Sequence, residues 1–388
     1  MELHIQKHLR NGGTVDELKE ELSLGVHEHP ESPLIGFSYS QIDSPKTHPI
    51  VREARGITLE RDSWRVVAKA FNRFFNLGEV ADEYATFNWD NFDCYTKADG
   101  SLMLMFHYDG RWYVKTRGSF GDGIIQNGLP DYQPSFSELF WDIKDAMGID
   151  PNGKDRASFD PDCTYVFEMC SKYNKVVRTY DEPTTYLLTI VHNPTAREWP
   201  HDESDAFAAK LGLPRVGRHH FTSLDEIKSY IEHLEDTDPT NEGVIVCDDK
   251  WLRYKIKSKT YTAYHHLLDN GNLYNPKRLV PWVLVDDPSE LLLHFPEVTQ
   301  HYEAVRDKMD EAYGQLVDVW KETHGIENQK EFALAIKGRS PFVGLLFQLR
   351  KQTGTIGKGG ILPGPQTEQD LRQMWRNNPD GIVKTLFK

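Results

Sequence analysis

Two textures of hydrophobic patterning divide the chain. From Leu34 to about Val246, apolar residues come in short alternating or continuous runs broken by Gly, Pro and Asp. The runs at 102–106, 112–116, 164–168, 186–191 and 243–247 predict strands. Asp109-Gly110 between the first two predicts a hairpin, because that dipeptide accepts the positive φ angles a tight turn needs. Helical periodicity interrupts at 137–147 and 223–234, and TVDELKEELSL at 14–24 predicts a short amphipathic helix capped by Thr14. This mixture predicts an α+β class with antiparallel β-sheets.

Near residue 270 the pattern changes. Asn270-Gly271-Asn272 and Asn275-Pro276 carry turn chemistry. Beyond them Tyr302, Val305, Met309, Ala312, Tyr313, Leu316 and Trp320 recur at three- and four-residue steps, one face of a helix and more often core than a stacking platform. Residues 341–350, PFVGLLFQLR, predict a buried helix opened by Pro341 in its first turn. The expected division is a domain over 1–268 and a helical C-terminal domain over 269–388. At roughly 150 residues per domain, 388 residues agree with two or three.

Composition narrows the function. The 45 basic and 59 acidic side chains leave a net charge of −14, which excludes a protein that holds nucleic acid by overall positive charge. Any nucleic acid must meet local basic patches. The four cysteines, at 94, 163, 170 and 247, have no CxxC spacing, so neither a zinc site nor a disulfide framework is expected and the compartment is expected to be reducing. The N-terminus lacks the apolar run of a signal peptide, and no apolar run reaches the roughly 18 residues needed to cross a membrane. A cytoplasmic protein with no membrane partner is the expectation.

The candidate chemistry lies in ordered pieces. Thr96-Lys97-Ala98-Asp99-Gly100-Ser101 stands between two apolar runs, with Gly100 free to turn tightly. A nucleophilic lysine must lose its proton, and burial or nearby positive charge lowers its pKa. The four-letter KxDG alone favours an exposed hairpin lysine, since short motifs recur by chance. Trp251–Lys259, WLRYKIKSK, alternates so that Leu252, Tyr254 and Ile256 share one face and Arg253, Lys255 and Lys257 the other. Three cations aimed at one spot suit an anion such as a triphosphate; a basic edge strand guarding against aggregation accounts for them equally. Glu168 and Glu242 each border an apolar run, where a carboxylate could meet Mg²⁺ or simply solvent. Arg55-Gly56, KAFNRFFN at 69–76, and the Lys115 and Arg117 of KTRGS add further cations.

In the order KADGS, FE, EGVIV and KIK, these pieces resemble the covalent nucleotidyltransferases, the superfamily of ATP-dependent ligases and capping enzymes. More specifically, Phe37-Ser38-Tyr39, Ala54-Arg55-Gly56-Ile57, Phe74-Phe75-Asn76-Leu77, Lys97 to Leu102, Lys115 to Ser119, Phe167-Glu168, Glu242-Gly243 and Lys255-Ile256-Lys257-Ser258 with Tyr261 resemble the phage RNA ligase 1 family over roughly 35–265. That resemblance implies a nucleotidyltransferase domain followed by a helical C-terminal domain, ATP as AMP donor and Mg²⁺. It implies an enzyme joining 5′-phosphate and 3′-hydroxyl ends of single-stranded RNA through a lysyl-AMP and an RNA-adenylate. A cleaved tRNA anticodon loop is an expected substrate, a monomer the expected state, and a bacterial or phage-infected cell the expected setting.

By the same resemblance Lys97 accepts the nucleotide, Glu168 holds the ribose, and Tyr39, Arg55, Arg73 and Arg117 sit by the ATP phosphates. Lys255 and Lys257 grip the α-phosphate, Glu242 lies near the metal, and Tyr261 matters for ligation. Among Asp286, Asp287 and Glu290, Asp287 stands as the C-terminal metal-binding acid. The sequence departs from the family in Arg73 before the FFN run, in Lys259 after KIKS, and in Ala98, expected to point away from the chemistry. A DNA ligase or a capping enzyme is the alternative, but those carry an OB-fold after KxK, where helical patterning stands here. His27 with His29, His219-His220 and His265-His266 lack a zinc-type fourth partner. The 354–360 run GTIGKGG fails the Walker spacing.

Overall fold

The computed structural model describes residues 2–387 apart from 81–85, 126–131, 268–274, 285–291, 293, 294, 296, 297 and 354–364. The chain forms two compact units, Met1–His266 and Leu267–Lys388. The expected boundary at 268 and the glycine-rich run at 354–360 lie outside the described residues.

In the first unit the strands in chain order begin with β1 (Leu24–Glu28), β2 (Leu34–Tyr39), β3 (Arg55–Glu60), β4 (Val66–Ala68) and β5 (Phe75–Asn76). Then come β6 (Phe92–Thr96), β7 (Ser101–Tyr108), β8 (Arg111–Thr116), β9 (Cys163–Cys170) and β10 (Thr184–His192). The last are β11 (Arg197–Glu198), β12 (Arg218–His219), β13 (Gly243–Asp248) and β14 (Arg253–Lys257). They build a four-stranded sheet β1-β2-β3-β4, a five-stranded sheet β11-β10-β9-β7-β8 and a second five-stranded sheet β12-β6-β13-β14-β5. Every pairing is antiparallel except β14 with β5.

Period-two patterning decides the faces. On β9, Cys163, Tyr165, Phe167 and Met169 pack into one core with Leu139, Phe140 and Ile143 of the helix Phe136–Ala146. Val166, on the opposite face, joins Phe71, Phe74, Leu104 and Val191 in another. Burying each such aromatic or aliphatic side chain contributes about 1.5–3 kcal/mol. The Tyr108–Arg111 turn is the expected hairpin, with Asp109 and Gly110 both at positive φ. Thr14 caps Val15–Leu22 through Glu17, and Ser223 caps Leu224–Thr237 through Glu226. Sequence reading passes over the helix His4–Arg10, whose first amides donate to the buried Glu53 carboxylate 3.0 Å away.

The second unit is helical among its described residues. Tyr302, Val305, Met309, Ala312, Leu316 and Trp320 line the buried face of Thr299–Thr323, as the periodicity predicts. The helix predicted from 341 runs Val343–Thr353, so Pro341 precedes it instead of opening its first turn, and Phe347 is exposed. All four cysteines are free and buried. Among the described residues no helix is long and apolar enough to cross a membrane.

Two glycines predict opposite substitution outcomes. A Cβ on Gly100 would meet the Met169 carbonyl oxygen at 2.2 Å, so Gly100→Ala should destabilise by about 2 kcal/mol or more. A Cβ on Gly314, inside Thr299–Thr323, would meet nothing within 4 Å, so Gly314→Ala should stabilise its unit by roughly 0.5–1 kcal/mol. Thermal unfolding of the two variants checks the contrast in sign.

Candidate active site

Strand register assembles the site. β6 pairs with β13 so that Thr96 faces Val244, and the next amide, Lys97 N–H, donates to the Gly243 carbonyl at 2.9 Å. β14 pairs with β13 so that Gly243 faces Lys257. Gly243 has φ +119, and a Cβ there would meet the Ile256 carbonyl oxygen at 2.2 Å; only glycine allows this approach. Glu242 is thereby carried between the two lysines. Its carboxylate, 4% exposed, takes Lys97 Nζ at 2.5 Å and Lys257 Nζ at 2.7 Å. After Gly100 the chain enters the other five-stranded sheet, where Leu102 faces Glu168.

The motif turn is held from behind. Asp99 is buried, and its carboxylate accepts the Val177 and Arg178 amides at 2.8 and 2.7 Å and the Tyr261 hydroxyl at 2.6 Å. Tyr261 is itself buried and lines neither cavity beside Lys97. Its contact is with the motif loop.

Electrostatics at Lys97 correct one expectation. Burial works to lower its pKa, but Glu242 and then Glu168 outweigh that, and the amine is held above the ordinary lysine value. The neighbouring cations do not lower it; the lysine they depress is Lys255. Burial, then Arg55, Lys97 and Lys257, push Lys255 down to about 7 against the pull of Glu242. Burial pushes Glu168 up to about 7, with Lys97 opposing and Glu242 reinforcing. Glu242 lies below the usual carboxylate range because Lys97 and Lys257 overcome its burial.

A second group of cations gathers at the ends of β2 and β3. The Arg73 guanidinium lies 4.1 Å over the Tyr39 ring, Arg117 lies 5.0 Å from it, and Arg55 Nη1 donates to the Tyr39 hydroxyl at 3.3 Å. These three overcome burial and hold the Tyr39 phenol below its ordinary pKa. Arg73 is buried and its Nη1 has no protein partner. Among the described residues none of the three has a carboxylate ion pair. Converging guanidiniums with an orphaned donor form a ready anion site.

Lys97 borders two cavities. One, of about 90 Å³, is lined by Arg55, Phe71, Phe74, Glu168, Leu188, Thr189, His201, Ile245 and Arg253 among others. The other, of about 320 Å³, is lined by Arg178, Tyr180, Tyr186, Gly217, Asn241 and Glu242 among others. Ala98 is buried and borders both.

The alternating strand does present Arg253, Lys255 and Lys257 opposite buried Tyr254 and Ile256. It is internal to its sheet, which removes the edge-guard reading. Arg253 is neutralised by both oxygens of Glu198, at 2.8 and 2.6 Å, and Lys257 by Glu242, which leaves Lys255 without a carboxylate ion pair among the described residues. Nothing in Arg197-Glu198-Trp199 announces that partner. Parallel pairing sets Phe75 and Asn76 beside Tyr254 and Lys255, so the FFN run reaches the site from 179 residues away in sequence.

Lys115, the other cation of KTRGS, is fully buried and donates to the Gly56 carbonyl at 3.0 Å. Asp287 lies outside the described residues. Among the described residues no three acids, histidines or cysteines gather as a metal site, the histidine pairs included. Both Glu242 oxygens are engaged by lysines, so that carboxylate does not stand as an open metal ligand.

A family model described as RNA ligase matches residues 53–261. A chain of Autographa californica nuclear polyhedrosis virus named bifunctional polynucleotide kinase/RNA ligase is 29% identical over 313 residues, 76% of this chain and 42% of that one. The RNA ligase of Rhodothermus phage RM378 is 22% identical across 73% of this chain and 77% of its own. The chain therefore spans less than half of the viral relative. A solved archaeal ATP-dependent RNA ligase superposes with TM-score 0.48 at 14% identity, covering 77% of this chain and 78% of that one; a likeness of that size adds no weight.

Burial alone pushes the Lys115 amine down to about 7. Between that value and about 10.4 the folded protein binds fewer protons than the unfolded chain, so wild-type stability gains with rising pH. Lys115→Met removes that linkage. Its stability relative to wild type should fall, on the order of 1–3 kcal/mol, from pH 6.5 to 9.5. Urea unfolding at both pH values checks this, and a constant difference would contradict it.

Proposed function

This chain belongs to the RNA ligase family, and we propose that it joins RNA ends with ATP through a nucleotide carried covalently on Lys97. The observation that carries the reading is the setting of Lys97 Nζ. The side chain is 21% exposed, borders two cavities and shares Glu242 with Lys257; Glu168 helps raise the pKa of Lys97, and Lys97 helps lower that of Lys255.

In this reading the apolar cavity takes the base, Glu168 the ribose, and Lys255 with Lys257 the α-phosphate. Arg55, Arg73, Arg117 and Tyr39 take the outer phosphates. Lys97 must first lose its ammonium proton to solvent, a step that the ion pair with Glu242 Oε2, 2.5 Å away, opposes until that carboxylate is drawn elsewhere. The amine then attacks the α-phosphorus, an N–P bond forms, the bond to the β-phosphate oxygen breaks, and pyrophosphate leaves. Lys255 and Lys257 stabilise the charge on the equatorial oxygens. Mg²⁺ supplies charge neutralisation on the phosphates when bound, and Glu242 is the carboxylate nearest to hold it once its lysines release it.

The RNA 5′-phosphate enters through the second, more polar cavity. It displaces Lys97 from phosphorus, and the 3′-hydroxyl then displaces AMP. Splitting one hard displacement into easier ones is the use of the covalent step. Single-stranded breaks such as a cleaved tRNA anticodon loop fit the reading, with the protein acting as a monomer.

Incubation with α-labelled ATP and Mg²⁺ should label the wild-type protein, while Lys97→Ala and Lys97→Arg should take no label. Label on either variant, or labelling by GTP alone, would overturn the reading. Because Lys97 is held protonated, the single-turnover labelling rate should climb between pH 6 and 9. Added 5′-phosphorylated single-stranded RNA should then circularise in preference to DNA of the same sequence.

A further inference from the structure

Strand β10 departs from alternation where it passes the apolar cavity. Its register against β9 slips between Leu187, which faces Phe167, and Thr189, which faces Val166. Strict alternation would put Leu187 and Thr189 on one face. Instead Leu187 and Ile190 pack into the core with the helix Phe136–Ala146, and the consecutive Leu188 and Thr189 both line the cavity. The bulge is built in. Arg215 Nη1 donates to the Leu187 and Leu188 carbonyls at 2.6 and 2.7 Å, and its Nε is fixed on Asp205 at 2.7 Å. Bulges re-aim single side chains beside ligand sites.

The side chain re-aimed here is a hydroxyl with nothing to bond. Thr189 is 2% exposed and its Oγ1 has no protein partner. The Tyr95 hydroxyl, lining the same cavity, is likewise buried and unpartnered. A buried polar group without a partner is a standing penalty that a ligand can relieve. The neighbouring walls Phe71, Phe74, Leu188 and Ile245 suit a flat apolar face, so the ligand must be planar with a polar edge.

We propose that the β10 bulge exists to present the Thr189 hydroxyl to the edge of the bound nucleobase, making Thr189 a determinant of nucleotide affinity. The inference rests on the reading of this cavity as the base site. Arg215 acts as the positioning residue that holds the bulge.

Thr189→Val keeps the shape and removes the hydroxyl; Thr189→Ser keeps the hydroxyl. The apparent KM for ATP in Lys97 labelling should rise about threefold to tenfold in the Val variant and return to within twofold of wild type in the Ser variant. Inhibition by pyrophosphate, which has no base, should stay within twofold in both. An unchanged KM in the Val variant, or a pyrophosphate constant that rises in step with it, would overturn the role of Thr189. Loss of labelling in the wild-type protein would instead strike the parent reading.

Discussion

One buried carboxylate organises the centre of this protein. Glu242 sits between two ammonium groups, one following β6 and one on β14, because β13 pairs with both strands and Gly243 lets the backbones close. Two like charges would otherwise repel across a partly desolvated space. With the carboxylate between them they share a counter-ion, and Lys97 rests as an ammonium instead of a free amine. An amine that must become a nucleophile is thus kept inert until something competes for Glu242.

The cleft around that centre is divided by chemistry. On one side, three guanidiniums surround Tyr39 with no carboxylate among the described residues to neutralise them, an arrangement that favours a bound polyanion. On the other, Arg253 in the wall of the apolar cavity is closed off by Glu198. Of the three cations on β14, Arg253 is held by Glu198 and Lys257 by Glu242, so Lys255 alone has no carboxylate ion pair among the described residues. The depressed pKa of Lys255 reports the same economy of counter-charge, for three cations bear on it against one carboxylate.

Support from behind the site is as specific as the site. Asp99 takes two backbone amides and the Tyr261 hydroxyl, so a tyrosine singled out beside the basic strand turns out to brace the lysine loop. Lys115 closes the Gly56 turn from inside the core. Both were legible as residues of interest, yet their neighbours in sequence say nothing of what they touch. Chain alternation tells which face a side chain takes; it does not tell which distant strand will lie against that face.

The sequence by itself determined the strand-rich first unit, the helical second, the hairpin at Asp109-Gly110 and the grouping of Arg253, Lys255 and Lys257, because periodicity and turn chemistry act between near neighbours. Ordered motifs also marked Lys97, Glu168 and Glu242. Only the tertiary structure decided the protonation of Lys97, the neutralisation of Arg253, the burial of Lys115 and the slip in β10. Each depends on a charge or carbonyl from a strand remote in sequence, and electrostatic balance is set by distance and burial in space, which no local pattern encodes.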